Sequence, residues 1–418
     1  MRVLSEAAFA RVIRAGDSQR FGIDLKNNRA AILQDAVSQA SVKPASLPQF
    51  STAPVRGKPC VSYPDFSTHL ILRSISRHLQ RRLRISLPSR DRIVKGVVES
   101  LMDRTPIYLM RRDITSFYES VPLASLRDGL LFDTASSAQV RSFLRAYFDQ
   151  HCLNKECGLP RGIGLSALLA EIAMRRFDQR VREIPGVYKY YRFSDDILIL
   201  SFLPSGEVSP QVAAALPSGM QFNSRKSYDL ALAAPKGQAR DEFFEFLGYK
   251  FTVEAECGSK PSRRVRVGIS SRKIDRLKTR VILSMKDFAK NHDYALLKDR
   301  VAFITSNYQV RRSGASHVAG ATHVKSGIYY NYRLCGVYYS QHGRSHYEPS
   351  PAHELKALDG FLRSLLRGGG SAFASLLSPG RRAELARYSF FKGYEKRMVV
   401  RFGSARVHAV KSVWAAHA

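Results

Sequence analysis

The chain has 418 residues, 44% of them apolar, which excludes a largely disordered or fibrous polypeptide and allows roughly two or three domains with a large core. It carries 66 Lys and Arg against 35 Asp and Glu, a net charge of +31. That excess points to a polyanionic partner, most simply nucleic acid; charge kept for solubility and a membrane-surface patch are the blander readings. The five cysteines, Cys60, Cys152, Cys157, Cys257 and Cys335, show no second close pair beside Cys152 and Cys157, so no zinc site is expected. Residues 1–14 interrupt their apolar positions with Glu6, Arg11 and Arg14, and no run of 18 apolar residues occurs. The expectation is a cytoplasmic protein with no membrane partner.

Residues 1–50 read as short helices and loops broken at Asn27, Asn28 and Pro44. The segment Arg56-Gly57-Lys58-Pro59 leads into a strand ending near Tyr63. A basic amphipathic helix is predicted over 68–84, with Leu70, Ile71, Ile75 and Leu79 on one face and Arg73, Arg77, Arg81 and Arg84 on another. Those arginines form either a solvated face or a phosphate-binding one. Pro88-Ser89 opens a second helix over 92–102, with Ser89 as candidate N-cap. Ile107 to Arg112 then reads as a strand that ends in Asp113, and helices are predicted across 123–153. Gly158-Leu159-Pro160-Arg161-Gly162-Ile163-Gly164-Leu165-Ser166 is a loop whose glycines let backbone approach a ligand, before a helix over 167–180.

Tyr190 to Leu200 is the stretch that organises the chain. Two apolar strands flank a turn that carries Asp195 and Asp196. Adjacent carboxylates are costly to bury without a counter-charge, and a hard divalent cation supplies one. An ordinary hairpin with an acidic turn is the plain alternative. Asp113, at a strand end, is the natural third partner; its alternative is a helix cap.

Further on, 204–217 reads as a loop with a short helix, Asn223 and Lys226 follow, and 243–249 reads as strand and turn. Lys260 to Arg266 is a basic loop. A helix over 271–290 places Ile274, Leu277, Val281, Met285 and Phe288 on one face and Arg272, Arg276 and Arg280 on another. Helices over 294–306 and 353–366 flank a Tyr-rich segment, 327–333, and Gly368-Gly369-Gly370 ends the last of them. The basic-aromatic stretch 388–402 suits either stacking on single strands or plain helix packing.

In order, Asp113 with Phe117-Tyr118, Gly158-Leu159-Pro160-Arg161-Gly162 with Ser166, Phe193-Ser194-Asp195-Asp196, Asn223 with Lys226, and Phe246-Leu247-Gly248-Tyr249 resemble palm motifs A to E of the reverse transcriptases. The resemblance covers roughly residues 55–250. Two positions depart from it: Ser194 stands where retroviral members carry a small aliphatic residue or methionine, and Arg161 where many carry glutamine. Residues beyond the palm show no nuclease pattern and look more like the bacterial antiphage defence reverse transcriptases, near the abortive-infection polymerases and similar to the second enzyme of a two-polymerase system.

The resemblance implies an α+β right-hand polymerase of fingers, palm and thumb, with an antiparallel palm sheet and a helical C-terminal thumb and extension. The expected division is an N-terminal extension (1–54), fingers and palm (55–255), a helical thumb (256–345) and a basic helical extension (346–418). It implies addition of dNTPs to a 3′-hydroxyl by two-metal phosphoryl transfer with two Mg²⁺, or Mn²⁺. Asp113 and Asp195 would hold both ions, Asp196 would complete the site, and the Ile114 carbonyl would serve the nucleotide-side ion. Tyr118 matches the family's steric gate against a ribose 2′-hydroxyl, while Phe117 reads as core. Lys226 would protonate or screen pyrophosphate, or else stay solvated. Lys58, Arg73, Arg77, Arg161, Gly162 and Ser166 are the candidate nucleotide-binding residues, and Arg272, Arg276 and Arg280 the nucleic-acid-binding ones. Expected partners are RNA or DNA, dNTPs, a noncoding RNA, a second reverse transcriptase subunit or a second copy of the chain. The competing readings are a catalytically silent nucleic-acid-binding subunit and an RNA-dependent RNA polymerase.

Overall fold

The computed structural model describes residues 3–14, 17–55, 57–87, 89–103, 105–153, 155–232, 240–254, 263–311, 323–341, 344–350, 353–367 and 372–415. Arg56, Pro88, Cys257, residues 260–262 of the basic loop and the run Gly368–Gly370 lie outside them. The elements are α1 (Glu6–Ala10), α2 (Asp17–Phe21), α3 (Arg29–Ser41), β1 (Ser51–Val55), β2 (Lys58–Ser62), α4 (Phe66–Arg82), α5 (Arg90–Leu101), β3 (Ile107–Asp113), a 3₁₀ turn (Phe117–Ser120), α6 (Ala124–Leu131), α7 (Ala138–Cys152), α8 (Gly164–Glu183), β4 (Val187–Phe193), β5 (Asp196–Ser201), α9 (Ser205–Ala215) and β6 (Tyr228–Leu232). They continue with β7 (Glu242–Phe246), β8 (Tyr249–Val253), β9 (Val265–Ile269), α10 (Ser271–Asn291), α11 (Tyr294–Thr305), β10 (Asn307–Arg311), β11 (His323–Gly327), α12 (Ile328–Tyr332), β12 (Gly336–Gln341), β13 (Arg344–Pro349), α13 (His353–Arg367), α14 (Pro379–Leu385), α15 (Phe390–Glu395), β14 (Val399–Val400) and α16 (Ser404–Ala415).

The chain divides into two units. The first takes residues 1–89 and 107–231 with 313–315; the second takes 90–106, 232–312 and 316–418. In the first, the Asp65 side chain caps α4 by accepting from Thr68 N–H at 2.7 Å. Leu70, Ile71, Ile75 and Leu79, at helical spacing, are fully buried, and α4 packs on α8. Each such side chain contributes about 1.5–3 kcal/mol by leaving water. Phe9, Leu33, Ala36 and Ala40 join the same core, so the N-terminal helices are built into this unit. The sheet runs β4–β5–β3–β6, and β5 is its buried centre, Ile197 to Leu200 having no exposed surface.

In the second unit, α5 buries Ile93, Val94, Val97, Val98 and Leu101. A five-stranded sheet, β13–β12–β9–β8–β7, and a three-stranded one, β11–β10–β14, accompany the helices α10 to α16. The helical thumb expected over 256–345 is therefore a mixed region. Val265, Val267 and Ile269 point inward in β9, a period-two signal too short to stand out beside a basic loop. The hairpin β7–β8 turns through Leu247 and Gly248, with φ of 50° and 78°, the sign pattern of a type I′ turn. Arg90 secures it, with Nε donating to the Leu247 carbonyl at 2.8 Å and the guanidinium over the Tyr249 ring at 4.5 Å. Among the described residues no helix is long and apolar enough to cross a membrane.

Candidate active site

Strand register brings the three aspartates to one end of the first unit's sheet. Asp113, the last residue of β3, stands opposite Asp196, the first of β5. β4 and β5 are joined by Ser194 and Asp195 alone, with Phe193 opposite Asp196. Ser194 has φ 59°, and Asp195 does not share the positive φ, as in a type II′ turn. Ile114 N–H donates to the Asp195 carbonyl at 3.1 Å, which fixes the hairpin tip beside the end of β3.

The side chains find cations of their own. Lys226 Nζ lies 3.1 Å from both carboxylate oxygens of Asp113, which is 4% exposed. Asn223 sets this up: its N–H donates to the Asp113 carbonyl at 2.7 Å, and its side chain accepts from Arg225 N–H at 3.1 Å. The resulting turn returns Lys226 to Asp113. Arg111, on the same strand face as Asp113, reaches Asp196 Oδ1 at 2.9 Å. Asp195 has less relief. Burial first, and then the negative charges of Asp196 and Asp113, hold its carboxyl above the ordinary value, against a backbone hydrogen bond and Lys226, which lower it.

These residues suit a divalent cation in donor type and backbone placement: hard oxygens from three adjacent positions, one of them under uncompensated negative charge. Among the described residues no three carboxylate, imidazole or thiolate side chains already converge as a finished ligand set. A bound cation would take Asp113 and Asp196 oxygens from Lys226 and Arg111. Lys226 is half exposed and its stem is flexible, so its ammonium is free to move.

A buried guanidinium anchors the hairpin. Arg192, in β4, pairs with Glu171 and Asp178 of α8, each at 2.7 Å, and donates to the Ser194 carbonyl at 3.2 Å. Burial alone would pull this guanidinium down; the two carboxylates reverse that and hold it well above its usual value.

The loop before α8 is stitched to the chain after Asp113. Leu159 N–H donates to the Tyr118 carbonyl at 2.8 Å, and Gly158 N–H to the Val121 carbonyl at 2.9 Å. On its other side Val61 N–H of β2 donates to the Arg161 carbonyl at 2.7 Å. Gly162 is required there because, at φ 95°, a Cβ would stand 2.3 Å from the Val61 carbonyl oxygen. Its smallness thus serves strand contact, where the sequence suggested approach to a ligand. Arg161 forms a two-point pair with Glu119, at 2.7 and 3.0 Å, and lies over the Tyr118 ring at 5.1 Å. Lys58 Nζ stands 3.8 Å from the same Glu119. Phe117 is buried.

Other expected nucleotide contacts are engaged elsewhere. Ser166 is 1% exposed and hydrogen-bonds the Tyr147 hydroxyl at 2.8 Å, so its role is in the core. Arg73 is paired through both nitrogens with the buried Asp17, at 2.7 and 2.9 Å, tying α4 to α2. Arg77 donates to the Arg11 carbonyl at 2.9 Å. Arg272, Arg276 and Arg280 belong to the second unit. Arg272 is exposed, whereas Arg280 stacks over Trp414 at 5.4 Å. Sequence reasoning passed over Arg111, Glu119, Glu171, Asp178 and Arg192. Arg111 was findable from its two-residue offset from Asp113, and Glu171 with Asp178 from their seven-residue, two-turn spacing on α8.

Residues 68–251 match the family described as reverse transcriptase (RNA-dependent DNA polymerase). Solved structures similar to the chain include apo telomerase from Candida tropicalis truncated from its C-terminal domain, at 13% identity and TM-score 0.32 over 50% of this chain and 53% of that one. Telomerase from Candida albicans in complex with a fragment of telomeric RNA matches at 12% identity and TM-score 0.33 over 82% of this chain and 53% of that one. The chain thus spans about half the length of these telomerase chains. No curated protein matches the sequence. The similarity to the reverse transcriptase family thus spans residues 68–251, the stretch that holds Asp113, Asp195 and Asp196.

Proposed function

We propose that the chain extends a nucleic-acid 3′-hydroxyl with deoxynucleotides, with Asp113, Asp195 and Asp196 as its metal-holding carboxylates, and that it serves antiphage defence in a bacterial cytoplasm. The observation that carries the chemistry is the register of Asp113 on Asp196 with the Ile114 N–H on the Asp195 carbonyl. Asp113 and Asp195 would hold two Mg²⁺ ions, or Mn²⁺, with the Ile114 carbonyl and Asp196 completing the donors. Bound there, the ions supply charge stabilisation for the attacking 3′-oxygen and the departing pyrophosphate. Lys226, released from Asp113, places its ammonium where it gives a proton to pyrophosphate or screens it. Tyr118 narrows the space beside the sugar C2′, so a ribose 2′-hydroxyl collides with its ring. Arg161 places positive charge over Tyr118, and Lys58 stands beside Glu119, the partner of Arg161. The defence role, a noncoding RNA and a second polymerase subunit rest on the motif resemblance alone.

Primer extension with Mg²⁺ and single dNTPs tests the chemistry. Asp195→Ala should lose activity by on the order of 10²-fold or more, the scale on which loss of one catalytic group is read. Wild-type extension by that variant would remove the carboxylates from the mechanism, and preference for rNTPs would favour an RNA polymerase. Plating phage on cells with wild-type or Asp195→Ala protein tests the defence role, with equal plaque counts against it.

A further inference from the structure

We propose that Glu119, Arg161 and Ser194 are positioning residues that hold the Tyr118 ring in one orientation and so set discrimination between deoxyribo- and ribonucleoside triphosphates. This rests on the reading of Tyr118 as the sugar gate. A gate excludes a single hydroxyl only if its ring cannot rotate out of the way. Tyr118 has two side-chain torsions, so restraint on its face and at its hydroxyl is enough to fix both.

Both restraints are present. The Arg161 guanidinium covers the ring face at 5.1 Å. It cannot swivel, because Nε and Nη2 are bound to the two Glu119 oxygens at 2.7 and 3.0 Å, a planar fork-to-fork pair. The backbone beneath it is fixed by the Val61 hydrogen bond to the Arg161 carbonyl and by the close approach at Gly162. At the other end, the Ser194 side chain stands beside the Tyr118 hydroxyl, close enough to oppose the upward pull of burial on it. Ser194 is in turn held through its own carbonyl by the buried Arg192. Phe117 closes one edge at 5.4 Å and 71°. Burial raises the Tyr118 hydroxyl above its ordinary value, so it stays protonated at neutral pH.

Arg161 and Ser194 are also the two positions at which the sequence departs from the reverse transcriptase pattern. They lie in different motifs, 33 residues apart in sequence (194 − 161), and meet on one tyrosine. Separate contacts of Arg161 and Ser194 with a nucleotide would give no reason for both to touch Tyr118. Glu119 makes the same point: a carboxylate repels a triphosphate, but it is well suited to aligning a guanidinium.

The test is the ratio of kcat/KM for a dNTP to that for its rNTP, measured in primer extension with the full chain. Tyr118→Ala, Glu119→Gln, Arg161→Lys and Ser194→Ala are compared with wild type, each after a thermal melt to establish folding. Tyr118→Ala should lower the ratio most. Glu119→Gln and Ser194→Ala should each lower it by about threefold to tenfold through a gain on the rNTP side, the scale of one lost contact in discrimination. Arg161→Lys keeps the charge and loses the planar fork, so it should follow Glu119→Gln. If Tyr118→Ala relaxes the ratio while the other three leave it at the wild-type value, the clamp is wrong and the gate stands. If Tyr118→Ala leaves the ratio unchanged, the gate reading fails, and this inference with it. If Arg161→Lys raises KM for both nucleotides equally at constant ratio, Arg161 grips triphosphate and the clamp is overturned. Ser194→Ala removes only one surface-turn hydroxyl and decides the question alone if Glu119→Gln does not fold.

Discussion

Asp195 shows what a buried carboxylate among like charges costs its own fold. Its carboxyl lies above the ordinary value because burial, Asp196 and Asp113 all oppose its charge. A carboxyl raised in the folded state destabilises the protein wherever it is ionised. The penalty is full above the raised value and shrinks as pH falls through it towards 3.8, the ordinary value. Asp195→Asn should therefore melt at a higher temperature than wild type at neutral pH without added metal. The advantage should close as the solution is acidified through that window. Mg²⁺ should raise the wild-type midpoint, because it binds the folded state alone, and move the Asn midpoint less. A variant that melts with wild type at every pH would mean that Asp195 carries no uncompensated charge. The same residue would then be a poor metal ligand, so thermal melts in EDTA and in Mg²⁺ test site and stability together.

At the scale of elements, the β4–β5 hairpin depends on α8 through one guanidinium. Arg192 is 5% exposed at its side chain and faces Glu171 and Asp178 at 2.7 Å each. Removing it leaves the half-buried Glu171 without its counter-charge and Asp178 with the Tyr190 hydroxyl alone, a loss of up to about 3–5 kcal/mol. Arg192→Met should show that loss in urea unfolding. Adding Glu171→Gln and Asp178→Asn should restore much of it, since no uncompensated charge then remains; an unaltered midpoint in the single variant would refute the anchor. The helices were legible in the sequence for the reason Leu70, Ile71, Ile75 and Leu79 illustrate: a 3.6-residue period sustained over several turns survives local noise. The strand ending at Asp113 and the Asp195-Asp196 hairpin were legible because apolar runs meet a turn that carries charge. The strands β9 and β12 were not, since they have five and six residues and pair with each other only across a long stretch of chain. Arg73 and Ser166 were misread for a related reason. A charge or hydroxyl near a motif looks functional until its partner, Asp17 or Tyr147, folds back from far along the chain.

The whole molecule carries +31, and its 66 Lys and Arg are not interchangeable. Several are consumed internally: Arg73 by Asp17, Arg112 by Asp229, Arg192 by Glu171 and Asp178, and Arg300 by Asp287. The opening two turns of α10 are different in kind. Arg272 is exposed and Arg276 half-buried, one turn apart, while Leu277, Val281, Met285 and Phe288 on the other face of α10 are buried. Arg280 belongs with the packing, its guanidinium over Trp414 and its carbonyl accepting from the indole N–H at 3.1 Å. Phosphate contact releases condensed counterions, so each lost contact lowers the log–log salt slope by roughly 0.9 on duplex and 0.7 on single strands. Arg272→Ala with Arg276→Ala should thus weaken binding and flatten the slope by roughly 1.8 on duplex, twice the single-contact value, with the melting temperature retained. Arg280→Ala should instead lower the melting temperature by loosening α16 from α10, with a smaller change in slope. Binding isotherms of the full chain over a range of salt separate the two effects. Equal slopes in wild type and the double variant would assign the α10 arginines to solubility or to an acidic partner, and would leave nucleic-acid grip to other cations of the chain.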